Sequence, residues 1–84
     1  MKTVNALKKI KKELGIDATI EQGNKVTTKG LVEYKGYRLE FIMNETGDSE
    51  NFYTSKKDED NGYNGYNGTF HDRLTQALSY LKSK

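Results

Sequence analysis

The sequence predicts a two-layer α+β domain in which a helix precedes three or four antiparallel strands in a meander and a second helix follows them. Apolar residues recur at helical spacing near both ends of the chain and alternate with polar residues between them. Short turns separate the alternating segments, which favours antiparallel pairing of consecutive strands. One face of such a sheet can cover the apolar stripes of both helices. At 84 residues the chain is predicted to be a single domain spanning residues 1–84.

The first helix is predicted from an apolar stripe near the start of the chain. The stripe consists of Val4, Leu7, Ile10 and Leu14. Thr3 precedes it and is the expected N-cap, because its hydroxyl can accept a hydrogen bond from a free amide of the first turn. Gly15 follows it at the position where a left-handed C-cap is favoured. The helix is therefore expected to bury Val4 and to end at Gly15.

After Gly15 the apolar period changes to two, which indicates strands. Residues 16–21 predict a half-buried first strand, and Gly23-Asn24 predicts a turn. Residues 25–34 predict the second strand, with Gly30 as a bulge or bend.

The third strand, over residues 37–43, follows a turn at Lys35-Gly36. The preferred two-residue turn pairs Tyr34 with Tyr37, Val32 with Leu39 and Glu33 with Arg38. This register places the apolar side chains on one face and an ion pair on the other. The alternative is a three-residue turn with a bulge at Gly36, which brings Leu31 into phase with the third strand.

The second half of the chain is more polar. Residues 44–50 are predicted to form a loop, and residues 52–54 a short edge strand that Lys56 and Lys57 protect from further pairing. Residues 58–68 are predicted to be a flexible loop, because three Asn-Gly steps in succession each favour a turn.

A last helix is predicted to begin at Thr69, with Asp72 as the partner of a capping box. Its expected buried stripe consists of Phe70, Leu74, Ala77, Leu78 and Leu81.

Composition excludes several kinds of chemistry. The chain has no cysteine, so it has no disulfide, zinc–thiolate site or cysteine nucleophile. Its one histidine, His71, is placed in the first turn of the last helix without a partner to orient it as a general base. The acidic residues from Asp58 onward do not follow the spacing of an EF-hand, and a solvated loop is favoured over an irregular calcium site. The chain is therefore predicted to be non-enzymatic and to need no metal or cofactor.

No apolar run is long enough to cross a bilayer, and no signal peptide is visible. A cytoplasmic protein without membrane association is therefore expected.

Charge separates along the chain although the total is only +2. Residues 1–43 carry nine basic and five acidic groups, a net of +4, whereas residues 44–68 carry two basic and six acidic groups, a net of −4. Tyrosines within the acidic region can form an adaptable recognition surface. The predicted function is therefore that of a small module that binds a protein partner through four loop residues: Asp58, Asp60, Tyr63 and Tyr66.

The alternative function is non-specific nucleic-acid binding through Lys8, Lys9 and Lys12 on the outer face of the first helix. No arginine lies on that face to read a base or a phosphate with two hydrogen bonds, so recognition of a particular sequence is not expected. The identity of the partner and the oligomeric state do not follow from the sequence.

The order of helix, three strands and helix is similar to that of the double-stranded-RNA-binding domain, a resemblance of topology and length. That family carries a lysine-rich start to its last helix, where this chain has Thr69-Phe70-His71-Asp72-Arg73. The family's histidine-bearing loop between the first two strands is here Gly23-Asn24-Lys25. Because neither motif is present, no residue role is carried over.

The chain also resembles the small accessory proteins of phages and mobile elements in Gram-positive bacteria with A/T-rich genomes. The resemblance rests on its length, its bipolar charge and its frequent lysine, asparagine and tyrosine, which have A/T-rich codons. It implies an inhibitor or accessory protein that acts on a host protein.

Overall fold

The computed structural model describes residues 2–23, 26–44, 50–58 and 62–84. Within them the elements in chain order are α1 Thr3–Leu14, β1 Thr19–Gly23, β2 Thr27–Tyr34, β3 Tyr37–Asn44, β4 Glu50–Asp58, β5 Gly62–His71 and α2 Leu74–Lys82. The strands form one sheet in the order β1-β2-β3-β4-β5, and every pair is antiparallel. The predicted α+β class, meander and terminal helices are confirmed, and the sheet has five strands rather than three or four.

The core lies between one face of the sheet and the two helices. Its buried side chains are Ala6, Ile10, Val32, Leu39, Phe41, Met43, Phe52, Leu74, Ala77, Leu78 and Leu81. The two helices also meet directly, and Lys82 Nζ of α2 donates a hydrogen bond of 2.7 Å to Glu13 of α1. This hydrogen bond and the positive charge of Lys82 lower the pKa of the Glu13 carboxyl. Both helices therefore belong to one layer over the same sheet face.

Helix α1 begins one residue earlier than the sequence indicates. Lys2 is the N-cap and makes no side-chain cap, so the prediction of Thr3 as N-cap is wrong. Thr3 is buried together with Ala6 and Ile10, at the spacing i, i+3 and i+7 that defines one helical stripe. Val4 lies to the side of this stripe and is 55% exposed, contrary to expectation. The predicted C-cap is confirmed, since Gly15 has φ +75° and its amide donates to the carbonyl of Lys11.

Strand β1 is shorter and more exposed than predicted. It begins at Thr19 rather than at residue 16, and all five of its residues are exposed. Ile16 and Ala18 precede the strand and pack against the core from outside the sheet. Strand β1 lies at the edge of the sheet and pairs with β2 only. It contributes none of the buried core residues.

The β2–β3 hairpin has the preferred register. Tyr34 pairs with Tyr37, Val32 with Leu39, and Glu33 with Arg38. Lys35 and Gly36 both have positive φ angles, as a type I′ turn requires. Arg38 Nη2 donates to Glu33 across the strands at 2.9 Å, which confirms the predicted ion pair. The alternative with a bulge at Gly36 is therefore wrong.

Gly30 is not a bulge, because its pairing with Phe41 continues the β2–β3 ladder without interruption. The irregularity lies opposite it in β1, where Glu21 is an extra residue between Ile20 and Gln22. A Cβ atom on Gly30 would lie 2.6 Å from the ring of Phe41. Glycine is therefore required here so that the aromatic ring can lie against the backbone.

Strand β4 is an interior strand of nine residues and not a short edge strand, because β5 pairs with its other side. The prediction of a loop over residues 58–68 is wrong for Asp58, which ends β4, and for residues 62–68, whose backbone belongs to β5. Residues 68–71 pair regularly with β4, and the pairing then jumps from Ser55–Gly68 to Lys57–Tyr63. Lys57 thus faces a neighbouring strand and does not protect an edge.

The loop predicted over residues 44–50 is shorter than expected, because its first and last residues belong to strands. Asn44 ends β3, and Glu50 begins β4. Residues 45–49 of this predicted loop lie outside the described residues, as do residues 24–25 after β1 and residues 59–61 between β4 and β5.

Helix α2 begins at Leu74, five residues later than predicted. Residues 69–71 end β5, and the cap is made by Arg73 with Gln76, whose side chain accepts from the Arg73 amide. The predicted capping partner Asp72 is therefore wrong. Four members of the predicted stripe are buried, whereas the fifth, Phe70, lies in β5 and is exposed. Neither helix in the described part of the chain has the length and apolar character needed to cross a membrane.

Leu39 of β3 and Leu78 of α2 are both buried in the core between the sheet and the helices. We expect Leu39→Ala and Leu78→Ala each to lower the free energy of unfolding by about 2–5 kcal/mol, because each leaves a cavity. Val4→Ala is the control and is expected to change it by less than about 0.5 kcal/mol. Urea unfolding measures all three. If Val4→Ala lowered the free energy of unfolding as much as the two leucine variants do, Val4 would lie in the core. That result would contradict the observed orientation of α1.

Candidate functional site

The face of the sheet opposite the helices is the candidate functional site. Neighbouring residues of a strand point to opposite faces, and paired residues of adjacent strands share a face. The residues that alternate with the core positions of β2–β5 therefore form what we call the open face. They include Thr27, Lys29, Leu31, Glu33, Arg38, Glu40, Ile42, Asn44, Asn51, Tyr53, Ser55, Gly68 and Phe70.

The open face carries large apolar side chains in contact with solvent. Phe70 is 76% exposed and Ile42 is 42% exposed, although both belong to regular strands. The register aligns Glu40, Tyr53 and Phe70 in one row across β3, β4 and β5. Ile42 lies in the adjacent row, two residues along β3. The exposed apolar groups are thus neighbours rather than scattered side chains.

Tyr53 and Phe70 form an aromatic pair whose ring centroids are 4.7 Å apart at an interplanar angle of 54°. The ring of Tyr53 also lies over the backbone of Gly68, so that a Cβ atom on Gly68 would collide with it. Glycine at residue 68 therefore allows Tyr53 to lie along the sheet toward β5. This arrangement fixes one side of the pair against the backbone while Phe70 remains exposed.

A cavity of about 330 Å³ opens between the aromatic pair and the centre of the sheet. The open-face residues that line it are Lys29, Glu40, Ile42, Asn51, Tyr53 and Phe70. Its walls combine apolar groups with an amide and two charged side chains. Such a combination suits an apolar group that also needs a few polar contacts at its rim.

The basic groups of the open face are neutralised by carboxylates. Arg38 contacts Glu33 at 2.9 Å and Glu40 at 3.5 Å. The hydrogen bond to Glu33 raises the pKa of Arg38, so this guanidinium stays charged. Lys29 lies 3.8 Å from Glu21 of β1. The described part of this face therefore has no excess of positive charge.

His71 lies at the end of β5, on the helix side of the sheet, and not in a helix as expected. Its Nε2 is 2.8 Å from Oγ1 of Thr54, and its ring centroid is 5.2 Å from that of Tyr80. Burial lowers the pKa of His71. The imidazole thus links β4, β5 and α2. Among the described residues, no group of three or more His, Cys, Asp or Glu side chains could hold a metal ion.

The lysines predicted for the alternative function lie on α1, in the helix layer and away from the open face. Lys8 and Lys12 are exposed, and Lys9 is half-buried beside Glu13. None of the three forms an ion pair within the described residues, whereas Lys11 contacts Asp17 at 3.3 Å. They form a cationic surface that is separate from the open face.

Three of the four residues predicted to bind a protein partner fall at the far end of the β4–β5 pair. Asp58 pairs with Gly62, and Lys57 pairs with Tyr63. The backbone of Tyr66 belongs to β5 as well. Asp60 lies outside the described residues, as do the side chains of the other three.

Sequence reasoning misses the open-face aromatic residues. Residues 70, 74 and 78 follow helical spacing, which assigns Phe70 to the stripe of a helix. The signal for a strand is the alternation of Thr69, Phe70 and His71 immediately before the helix. The sequence assigns Tyr53 to a strand. It does not show which face of the sheet Tyr53 belongs to as long as residues 62–68 are interpreted as a loop.

The open face presents an aromatic pair, an apolar neighbour and paired charges around one cavity, which is the chemistry of a contact surface. No family model, curated protein or solved structure matches this chain. Function is therefore inferred from the open face itself.

We expect the free energy of unfolding to fall as the pH is lowered below about 6.5, the ordinary pKa of histidine. Because the folded pKa of His71 is lowered, the unfolded chain takes up this proton first, so the stabilisation present above pH 6.5 is lost on acidification. Urea unfolding at about pH 7.5 and about pH 5.5 measures the difference. The His71→Gln variant is expected to show a smaller difference in the free energy of unfolding between these two pH values. The other shifted acidic group, Glu13, titrates in the acid range of carboxylates and so does not account for this difference. An unchanged difference in this variant would contradict the assignment.

Proposed function

We propose that this chain is a small non-enzymatic module that binds a protein partner through the open face. The exposed aromatic residue Phe70, set beside Tyr53 and Ile42, is the observation that carries the proposal. Removing such a group from water is favourable, and buried aromatic anchors dominate the binding energy of many interfaces. Clustered rather than isolated exposed apolar residues are typical of interaction surfaces.

The charges of the open face favour a protein over a single-stranded nucleic acid. Bases stack on aromatic side chains, but such sites also need a positive groove that follows the phosphates. Here Arg38 already contacts two carboxylates and Lys29 contacts a third. A phosphate chain would meet Glu33 and Glu40 in the same place. A protein surface of mixed charge avoids this repulsion.

The size of the cavity supports an apolar side chain of the partner as its occupant. A volume of about 330 Å³ is at the small end of the range for ligand pockets. Phe70 and Ile42 would contact the apolar part of the inserted group. Asn51 and Lys29 would meet polar atoms at its rim. One anchor seated between aromatic walls and surrounded by polar groups is a common arrangement of a binding hot spot.

The residues proposed from the sequence would extend this surface. Asp58, Asp60, Tyr63 and Tyr66 are proposed as further partner contacts, since three of them continue the strand pair that carries Tyr53 and Phe70. Their acidic groups would select a partner with basic residues beside its apolar anchor.

The setting that we propose is the cytoplasm of a bacterium, with the chain acting as an inhibitor or accessory protein of a phage or mobile element. The composition supports this setting. Twelve of the fourteen basic residues are lysine, and both asparagine and tyrosine are frequent in the chain.

The partner can be captured with a photoreactive residue in place of Ile42. We expect cross-linking at residue 42 in lysate of the source organism to recover a protein that the same residue in place of Val4 does not recover. Val4 is a matched control, because it is an exposed aliphatic side chain in the helix layer. Equal recovery at both positions would contradict the proposal.

Binding of the captured protein is then measured with purified components. We expect Ile42→Ser and Phe70→Ser each to weaken it by about ten-fold or more, as loss of an aromatic or aliphatic anchor does. Val4→Ser is expected to bind as the native chain does. Unchanged affinity of both open-face variants would place the interface elsewhere.

The second candidate function is non-specific nucleic-acid binding through Lys8, Lys9 and Lys12, which form no ion pair within the described residues. It predicts an affinity for DNA or RNA that falls steeply with salt concentration. Replacing all three lysines by glutamine is expected to reduce the affinity and the salt dependence together, whereas Ile42→Ser leaves both unchanged. Absence of binding at low salt would end this candidate.

A further inference from the structure

The two edges of the sheet differ in how they are protected from pairing with another strand. Edge strands that do not pair are usually short, bulged or charged. Strand β1 has all three properties, since it has five residues, and its bulge residue is Glu21. The β1 edge is therefore a poor template for an additional strand.

Strand β5 has ten residues and lacks the charged and proline residues that block pairing. It lies within residues 61–71, the longest stretch of the sequence without Lys, Arg, Asp or Glu. Its pairing with β4 is irregular between residues 63 and 68, but residues 68–71 pair regularly. On its other side β5 has no neighbouring strand among the described residues. Residues 68–71 thus present a regular, uncharged edge.

We propose that β5 pairs in antiparallel fashion with β5 of a second copy of this chain, so that two five-stranded sheets join into one. A strand that pairs with its own copy about a two-fold axis opposes its own side chains, and like charges opposite each other are destabilising. Strand β5 avoids this in any register because it carries no Lys, Arg, Asp or Glu. The absence of charge along this one edge, in a chain of which 31% of residues are charged, is what points to a second copy.

The two-fold axis of such a pair is perpendicular to the sheet, so both open faces lie on the same side. Gly68 and Phe70 belong to the open face, and Thr69 belongs to the helix side. Registers that keep the faces matched and centre the pairing on residues 68–71 place Phe70 opposite either Phe70 or Gly68 of the second copy. In both, the exposed ring of Phe70 is partly buried at the seam, next to the Tyr53–Phe70 pair of the other protomer. Main-chain hydrogen bonds and the aromatic contact stabilise the dimer together.

Dimerisation would also bring two open faces side by side. The two Tyr53–Phe70 pairs would form one aromatic strip across the axis, with an Ile42 on each side of it. The pairing of β5 does not require the proposed partner, although Phe70 belongs to both surfaces. A chain that dimerises without binding a partner, or binds one as a monomer, separates the two proposals.

The test is the mass of the full chain by sedimentation velocity, from micromolar to millimolar concentration. We expect the mass to rise from that of one chain toward that of two. Phe70→Lys is expected to remain monomeric because it brings two positive charges close together at the seam in either register, while its circular dichroism and urea midpoint stay close to native since Phe70 is exposed. Ile20→Lys, at an exposed position of the β1 edge, is the matched control and is expected to dimerise like the native chain.

A second measurement needs no variant. Hydrogen exchange is expected to slow with increasing protein concentration at those amides of residues 68–71 that face away from β4, and to stay unchanged in β1. A native chain that is monomeric at every concentration would overturn the proposal. So would a dimer in which protection appears in β1 or α1, or one that Ile20→Lys disrupts and Phe70→Lys does not. Strand addition by a peptide of another protein, with no self-association, would likewise exclude the second copy.

Discussion

The packing of both helices on one face of the sheet determines the rest of this structure. Ala6 and Ile10 of α1 and the apolar stripe of α2 enter the same core, which Leu39 and Phe41 complete from the sheet. Because side chains alternate along a strand, every second residue of β2–β5 then faces away from the core. Phe70 and Ile42 are exposed for this reason and not through weak packing. The open face is a direct consequence of a core that lies on one side of the sheet.

The charges of the molecule follow the same division into layers. The total of +2 conceals a lysine-rich α1 and an open face on which Arg38 and Lys29 contact carboxylates. The two surfaces therefore differ in chemistry as well as in position. One would attract an anion over some distance, whereas the other offers apolar area with local polar contacts. This contrast separates the two functions considered for the chain more clearly than its net charge does.

Local signals in the sequence are sufficient for the β2–β3 hairpin but not for β5. Lys35-Gly36 and the alternation on either side specify the hairpin within a few residues, and its predicted register is confirmed. In β5 the Asn-Gly steps favour turns locally, and the strand exists through its pairing with β4 and the space that Gly68 gives to Tyr53. Both contributions come from residues distant in sequence. The position of Phe70 is compatible with both a helical and a strand period. Only the pairing in the sheet therefore shows on which face Phe70 lies.

The proposed binding surface is the open face and not the helix layer. Because the chain has no cysteine, Ile42→Cys, Asn51→Cys and Lys8→Cys each introduce a single thiol. The most direct test is the rate at which each thiol is alkylated with and without the protein captured through residue 42, added at a concentration that saturates each variant because Ile42→Cys itself weakens binding. We expect the partner to slow alkylation at residues 42 and 51 and to leave the rate at residue 8 unchanged. Slower alkylation at residue 8, with unchanged rates at 42 and 51, would contradict it.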